Sequence, residues 1–117
     1  MAKTESRKEK LEWRMFNQSN QTGPVELSTE NKNIGTLRIT NIITPVSTLE
    51  IDLYMESIYD NSIQYYIAKK LFINIGASVQ FEDGDIYLPT EHKLIIEDSG
   101  GVLTNAYSVQ YTLKNHE

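Results

Sequence analysis

Short runs of alternating apolar and polar residues, separated by Gly, Asp, Asn and Pro, occur along most of the chain. Period-two alternation with turn residues between the runs predicts antiparallel strands. The clearest run is Thr48 to Met55, where Leu49, Ile51, Leu53 and Met55 point one way and Glu50, Asp52 and Tyr54 the other. One face is then expected to be buried and the other wet. Gly35 to Ile43 begins as a strand with Leu37 and Ile39 on one face and Thr36, Arg38 and Thr40 on the other; the adjacent Ile42 and Ile43 predict a bulge or the strand end. From Ile63 to Ile75 the odd positions are apolar except Lys69, so a kink is placed at Lys69-Lys70, where the chain is expected to change sheet. Asp83-Gly84 predicts a two-residue hairpin turn needing positive φ. That register pairs Glu82 with Asp85, Phe81 with Ile86, Gln80 with Tyr87 and Val79 with Leu88. Lys93 to Glu97 puts Leu94 and Ile96 inward, and Tyr107, Val109, Tyr111 and Leu113 share one face of the last strand. With a short strand at Val25–Leu27, the count is about seven to eight strands, the pattern of an all-β chain folded as an antiparallel β-sandwich, jelly-roll or Ig-like. No segment has a long helical period, and there is no internal repeat.

Residues 1–22 read as an extended N-terminal arm and linker ahead of a sandwich domain at 23–117. Within the arm, Leu11, Trp13 and Met15 alternate with Lys10, Glu12 and Arg14, which predicts a strand, although the four-residue spacing of Leu11 and Met15 also allows a short helix. Trp13 is the only Trp, and a large aromatic there needs a surface to pack on. Two arrangements satisfy it: a strand completing the protein's own sheet, or a contact with a neighbouring subunit. The candidate interface is Lys10, Leu11, Trp13, Arg14, Met15 and Phe16, with Trp13, Arg14 and Phe16 as anchors.

Charge sharpens that reading. Residues 1–22 hold five basic and three acidic residues, and the rest of the 117-residue chain holds six basic and thirteen acidic. A basic arm on an acidic body can dock on its own body or on another copy. The net charge of -5 argues against nucleic acid as the main partner. No cysteine is present, so neither disulfides nor a thiolate metal site contribute. No apolar run is long enough for a membrane helix, and Met1 to Lys8 lacks the apolar core of a secretory signal, so a protein made in a cytoplasm and not inserted in a membrane is expected.

Candidate chemistry is sparse. His92 falls in a turn and His116 next to the C-terminus, and nothing marks a nucleophile with a base, so no enzyme and no cofactor are expected. Glu82, Asp83 and Asp85, with Glu97 and Asp98, offer carboxylates for calcium, but a plain hairpin turn explains the first three. Seven tyrosines, with Tyr54, Tyr66 and Tyr87 on the more polar strand faces, suggest stacking on carbohydrate or simple cross-strand pairs.

The succession Gly35-Thr-Leu-Arg-Ile-Thr-Asn41, Leu49 to Tyr54, Tyr65-Tyr-Ile-Ala-Lys69, Ile73-Asn-Ile-Gly-Ala-Ser78, Phe81-Glu-Asp-Gly84, Lys93-Leu94 and Tyr111-Thr-Leu113 resembles small β-sandwich virion proteins of tailed bacteriophages. The likeness spans roughly residues 34 to 114 and departs from the pattern in the Trp-bearing arm and at Asn74, where that group often has proline. It implies a non-enzymatic structural component of the tail, neck or capsid surface, present in the virion in multiple copies and bound to other copies of itself and to other virion proteins. The alternative is a carbohydrate-binding sandwich used in host-surface attachment.

Overall fold

The structure, a computed structural model, describes residues 12–19, 23–27, 29–42, 48–99 and 106–116. It contains eight strands: β1 (Glu12–Ser19), β2 (Val25–Leu27), β3 (Asn33–Asn41), β4 (Leu49–Ser57), β5 (Tyr65–Ile73), β6 (Ser78–Phe81), β7 (His92–Asp98) and β8 (Ala106–Lys114). They form two antiparallel four-stranded sheets, β1-β8-β3-β6 and β2-β7-β4-β5, packed as a β-sandwich. First pairs with last, second with seventh, third with sixth and fourth with fifth. One long hairpin folded at the β4–β5 turn and rolled into two layers has this order, which is the jelly roll rather than the Ig-like option.

The core follows from side-chain parity. Ile34, Leu37 and Ile39 of β3, Leu49, Ile51 and Leu53 of β4, Leu94 and Ile96 of β7, and Tyr107, Val109, Tyr111 and Leu113 of β8 are all buried between the sheets. Burying each such aliphatic side chain contributes about 1.5–3 kcal/mol before chain entropy is charged against it. Phe16, Val25, Met55, Leu71, Val79 and Phe81 pack around the margin.

Three expectations change, and a fourth, the strand end at Ile42, is met. The Glu82–Asp85 turn forms, with the Asp85 N–H donating to the Glu82 carbonyl at 2.9 Å, yet it does not close a two-stranded hairpin. Of its central residues only Gly84 has positive φ, whereas a type I′ hairpin needs it at both, so the flanking segments diverge. β6 therefore pairs with β3, and Ile86 and Leu88 turn into the core on the way to β7. Asn33 holds that crossing, its Oδ1 accepting the N–H groups of Leu88 and Ile34, both at 2.8 Å.

The kink at Lys69-Lys70 exists, but β5 does not change sheet. Lys69 and Lys70 stand together opposite Asp52, and a second irregularity at Ile67 follows, so the strand stays paired with β4 on both sides of the bulges. Lys70 has a φ of 56° and its N–H donates to Asp52 Oδ1 at 2.8 Å, which satisfies the amide that the bulge removes from the ladder.

The face of β4 expected to be wet is largely buried: Tyr54 is 3% exposed, and Asp52 and Glu56 are similarly covered. β4 is a central strand, and long side chains from β5 and β7 close over it.

β3 ends at Asn41 with Ile42 exposed, while its bulge lies at the other end, between Ile34 and Leu37. There Gly35 and Thr36 face the single residue Thr112, whose Oγ1 accepts the Thr36 N–H at 2.9 Å. A Cβ on Gly35 would lie 2.4 Å from that oxygen. Gly35→Ala should therefore destabilise the fold by about 1–3 kcal/mol. Gly23→Ala, which meets nothing within 4 Å, should stay within about 0.5 kcal/mol of wild type, both variants being measured by urea titration.

Candidate functional site

The segment with the candidate interface residues is the outer strand of a sheet. β1 pairs with β8 without a register break from Glu12↔Leu113 to Ser19↔Ala106, so of the two arrangements open for this segment, the intramolecular strand is present. Lys10 and Leu11 lie outside the described residues. The other four divide by parity. Arg14 and Phe16 stand opposite the inward-facing Tyr111 and Val109, and Phe16 packs against the core. Arg14 donates to Glu30 Oε2 at 2.8 Å, linking the strand to the β2–β3 turn of its own chain. Trp13 and Met15 point the opposite way and are 54% and 63% exposed. Phe16, not Trp13, has the inward phase, so among the described residues the Trp13 indole lies on the outer face of the sheet.

The sandwich has four edge strands, and they differ in how open they are. β2 has three residues and β6 has four, while β5 is twice bulged and carries Lys69 and Lys70. Short length, bulges and lysines each discourage strand addition. β1 has eight residues in one continuous register, with no Pro, Gly or Lys. Among the described residues, no strand pairs with its other side.

The two outer faces of the sandwich are chemically different. On the β1-β8-β3-β6 sheet, Met15, Gln110, Arg38 and Gln80 align in one row across all four strands, and Asn17, Ser108, Thr40 and Ser78 form the next. Trp13 stands opposite Thr112 at the other side of the first row. Within these rows Arg38 is the one charged side chain. Trp13, Thr36, Arg38, Gln80 and Gln110 line a shallow concavity of about 140 Å³. Arg38, Gln80 and Gln110 were not singled out from sequence; each occupies an outward position of its strand, but their adjacency follows only from the strand order.

The opposite face is ionic. Asp52 stands opposite Glu97, Glu56 opposite Lys93, and Tyr54 between Ile95 and Tyr66. The Tyr54 and Tyr66 rings are 5.1 Å apart, Lys69 Nζ sits 4.5 Å from the Tyr66 centroid, and the Tyr54 hydroxyl donates to Glu97 Oε1 at 3.4 Å. Tyr54 thus belongs to a packed cross-strand pair, and Tyr87 packs edge-on with His116 elsewhere, so the tyrosines expected for stacking do not form one groove.

At the end where the β2–β3, β4–β5 and β6–β7 connections meet, a concavity of about 460 Å³ is lined by Glu30, Asn31, Ile58, Tyr59, Glu91 and His92, among others. Two of its carboxylates are engaged, Glu30 with Arg14 and Glu91 with the Tyr59 hydroxyl at 3.3 Å. The acidic turn is engaged as well. Asp85 Oδ2 accepts the Glu82 N–H at 2.7 Å, Glu82 accepts from Gln80, and Asp83 pairs with Lys114. Glu97 and Asp98 close β7 beside Asp52 and Ile51, away from that turn, and among the described residues no three His, Asp or Glu side chains are grouped to hold a metal ion. His92 begins β7, its Nδ1 3.0 Å from the Thr90 carbonyl, and His116 Nε2 lies 2.6 Å from the Leu88 carbonyl.

No protein-family model matches the chain, and no curated protein matches its sequence. Among the described residues no helix is long and apolar enough to cross a membrane.

Burial, then the carboxylates of Glu97 and Glu56, push the Tyr54 hydroxyl from 10.0 up to about 12, and burial followed by Asp98 and Glu97 raises that of Tyr107. Between those two values the unfolded chain has lost the Tyr54 proton while the folded chain still holds it, so rising pH favours unfolding. The melting temperature should fall from pH 10 to pH 12, and less steeply in Tyr54→Phe, with Tyr107 accounting for part of what is left; equal slopes would dissociate Tyr54 from the effect.

Proposed function

We propose that this protein is a non-enzymatic structural subunit of a tailed-bacteriophage virion, present in multiple copies and joined to neighbouring subunits along β1. The observation that carries the assembly part is the unpaired edge: among the described residues β1 alone of the four edges is long and regular, with no bulge, Pro or Lys, and its one inward charge, Arg14, is held by Glu30 of the same chain. Pairing there would satisfy backbone groups by hydrogen bonds and bring Met15 against the incoming strand. The phage assignment is supported by the resemblance of residues 34 to 114. The jelly roll is compatible with it, but serves capsid and lectin domains alike, so the fold does not choose between them.

Charge has a defined place in this reading. Arg14 is taken up by Glu30 of the same chain, so the arm's electrostatic contribution to a neighbour would come from Lys3, Arg7, Lys8 and Lys10, which lie outside the described residues. Attraction of that segment to an acidic neighbouring body would weaken as salt rises.

Deleting residues 1–22 would remove β1 itself and uncover β8, so a point change on the open edge is the cleaner test. By sedimentation and light scattering the full chain should exceed its 13.4 kDa monomer mass, and less so at high salt. Met15→Lys should return it to the monomer while leaving the melting temperature close to wild type, since Met15 is exposed. A wild type that stays monomeric at every concentration tested would overturn self-assembly through β1.

A further inference from the structure

We infer that the outer face of the β1-β8-β3-β6 sheet is a saccharide-binding platform, with Trp13 as the stacking surface and Arg38, Gln80 and Gln110 as the polar contacts. This goes beyond the assembly reading and does not rest on it. Strand addition uses the lateral backbone edge of β1, whereas these side chains project from the broad face of the sheet.

Four observations converge on that face. The indole of Trp13 is more than half exposed and borders a concavity completed by Thr36, Arg38, Gln80 and Gln110. A pyranose ring has one face of C–H groups, which an indole can cover, and an equatorial belt of hydroxyls that both donate and accept hydrogen bonds. Glutamine amides and a threonine hydroxyl also do both, and a guanidinium supplies several donors in a fixed plane. The side chains are set by the sheet itself: Gln110, Arg38 and Gln80 are direct cross-strand neighbours. Two are further steadied, Gln80 by donating to Glu82 Oε2 at 3.0 Å and Thr36 by its 3.2 Å contact with the Thr112 hydroxyl.

The charge pattern narrows the occupant. Outside residues 1–22 the chain carries thirteen acidic and six basic residues, yet these rows contain only Arg38 among charged side chains. A nucleic acid would need several phosphate contacts, and one guanidinium does not provide them. A second protein sheet laid flat on the face would bury rows of amides and hydroxyls, each costly unless individually matched. An uncharged, hydroxyl-rich ligand matches both the scarcity of charge in these rows and their donor–acceptor pattern. The concavity is too small to enclose a drug-sized molecule but suits one sugar ring, while the flanking polar rows extend it across the strands.

The test uses the full chain on an array of pyranose glycans, followed by saturation-transfer NMR with glucose and N-acetylglucosamine oligosaccharides as the defined probes. At least one probe should bind. Trp13→Ala and Arg38→Ala should each weaken it roughly tenfold, while Trp13→Phe retains most of the affinity. Tyr66→Ala and Tyr59→Ala, which remove exposed rings elsewhere, should leave it unchanged. Melting temperature and oligomeric mass are followed in every variant, so that a binding loss at constant mass and stability supports the platform. Absence of binding to every probe, binding untouched by Trp13→Ala, or a loss that only accompanies dissociation would overturn it. The assembly reading is judged separately, by the mass of the wild type and of Met15→Lys.

Discussion

A two-layer sandwich with one dry core requires this chain to pass from one sheet to the other in six of its seven connections. A passage takes backbone amides out of their ladder, and where they lie close to apolar side chains an unpaired N–H or carbonyl is costly. Two asparagines at the ends of β3 meet that requirement. Asn33 accepts from Leu88 as the chain runs to β7. Asn41, wholly buried, donates from Nδ2 to the Ile73 carbonyl at 2.9 Å, while its backbone exchanges bonds with Gly76 and Ala77. With β3 fixed at both ends, β8 and β6 can pair on either side of it, and β1 can pair with β8.

The properties of β1 follow from that position. Phe16 and Arg14 face inward, where the core margin and Glu30 hold them, so the strand is anchored by one face only. Period-two geometry then forces Trp13 and Met15 outward. A single strand thereby presents an aromatic side chain on the sheet face and a backbone edge that no strand among the described residues pairs, two surfaces with different chemistry. The remaining edges are closed by brevity or by bulges, which concentrates the available contacts on this side of the molecule.

The sandwich also separates its charge. Carboxylates and lysines collect over β4 and β7, where Tyr54 is buried among them, while hydroxyls and amides tile the opposite face. Some of these polar groups also serve the fold, since Asp52 accepts the Lys70 N–H at the β5 bulge and Thr112 accepts the Thr36 N–H at the β3 bulge.

Much of the fold was legible from alternation alone. The inward sets of β4, β7 and β8, the short β2 and the irregularity at Lys69-Lys70 are local features, because side-chain parity and turn chemistry act over a few residues. Partners were less legible, since the assigned hairpin from Val79 to Leu88 and the sheet change in β5 both depended on which strand lies alongside, and that is settled by contacts distant in sequence. The same limit applied to the site. Trp13 stood out as the single Trp of the chain, but its outward direction depended on the phase of Phe16 against Val109, far along the chain. Arg38, Gln80 and Gln110 gave no signal, being ordinary outward residues of three separate strands. By itself the sequence determined an all-β chain with one apolar face per strand, because each choice is made within a strand. The jelly-roll order, the open edge and the row joining Gln110, Arg38 and Gln80 were decided only by tertiary structure, because each is a relation between strands.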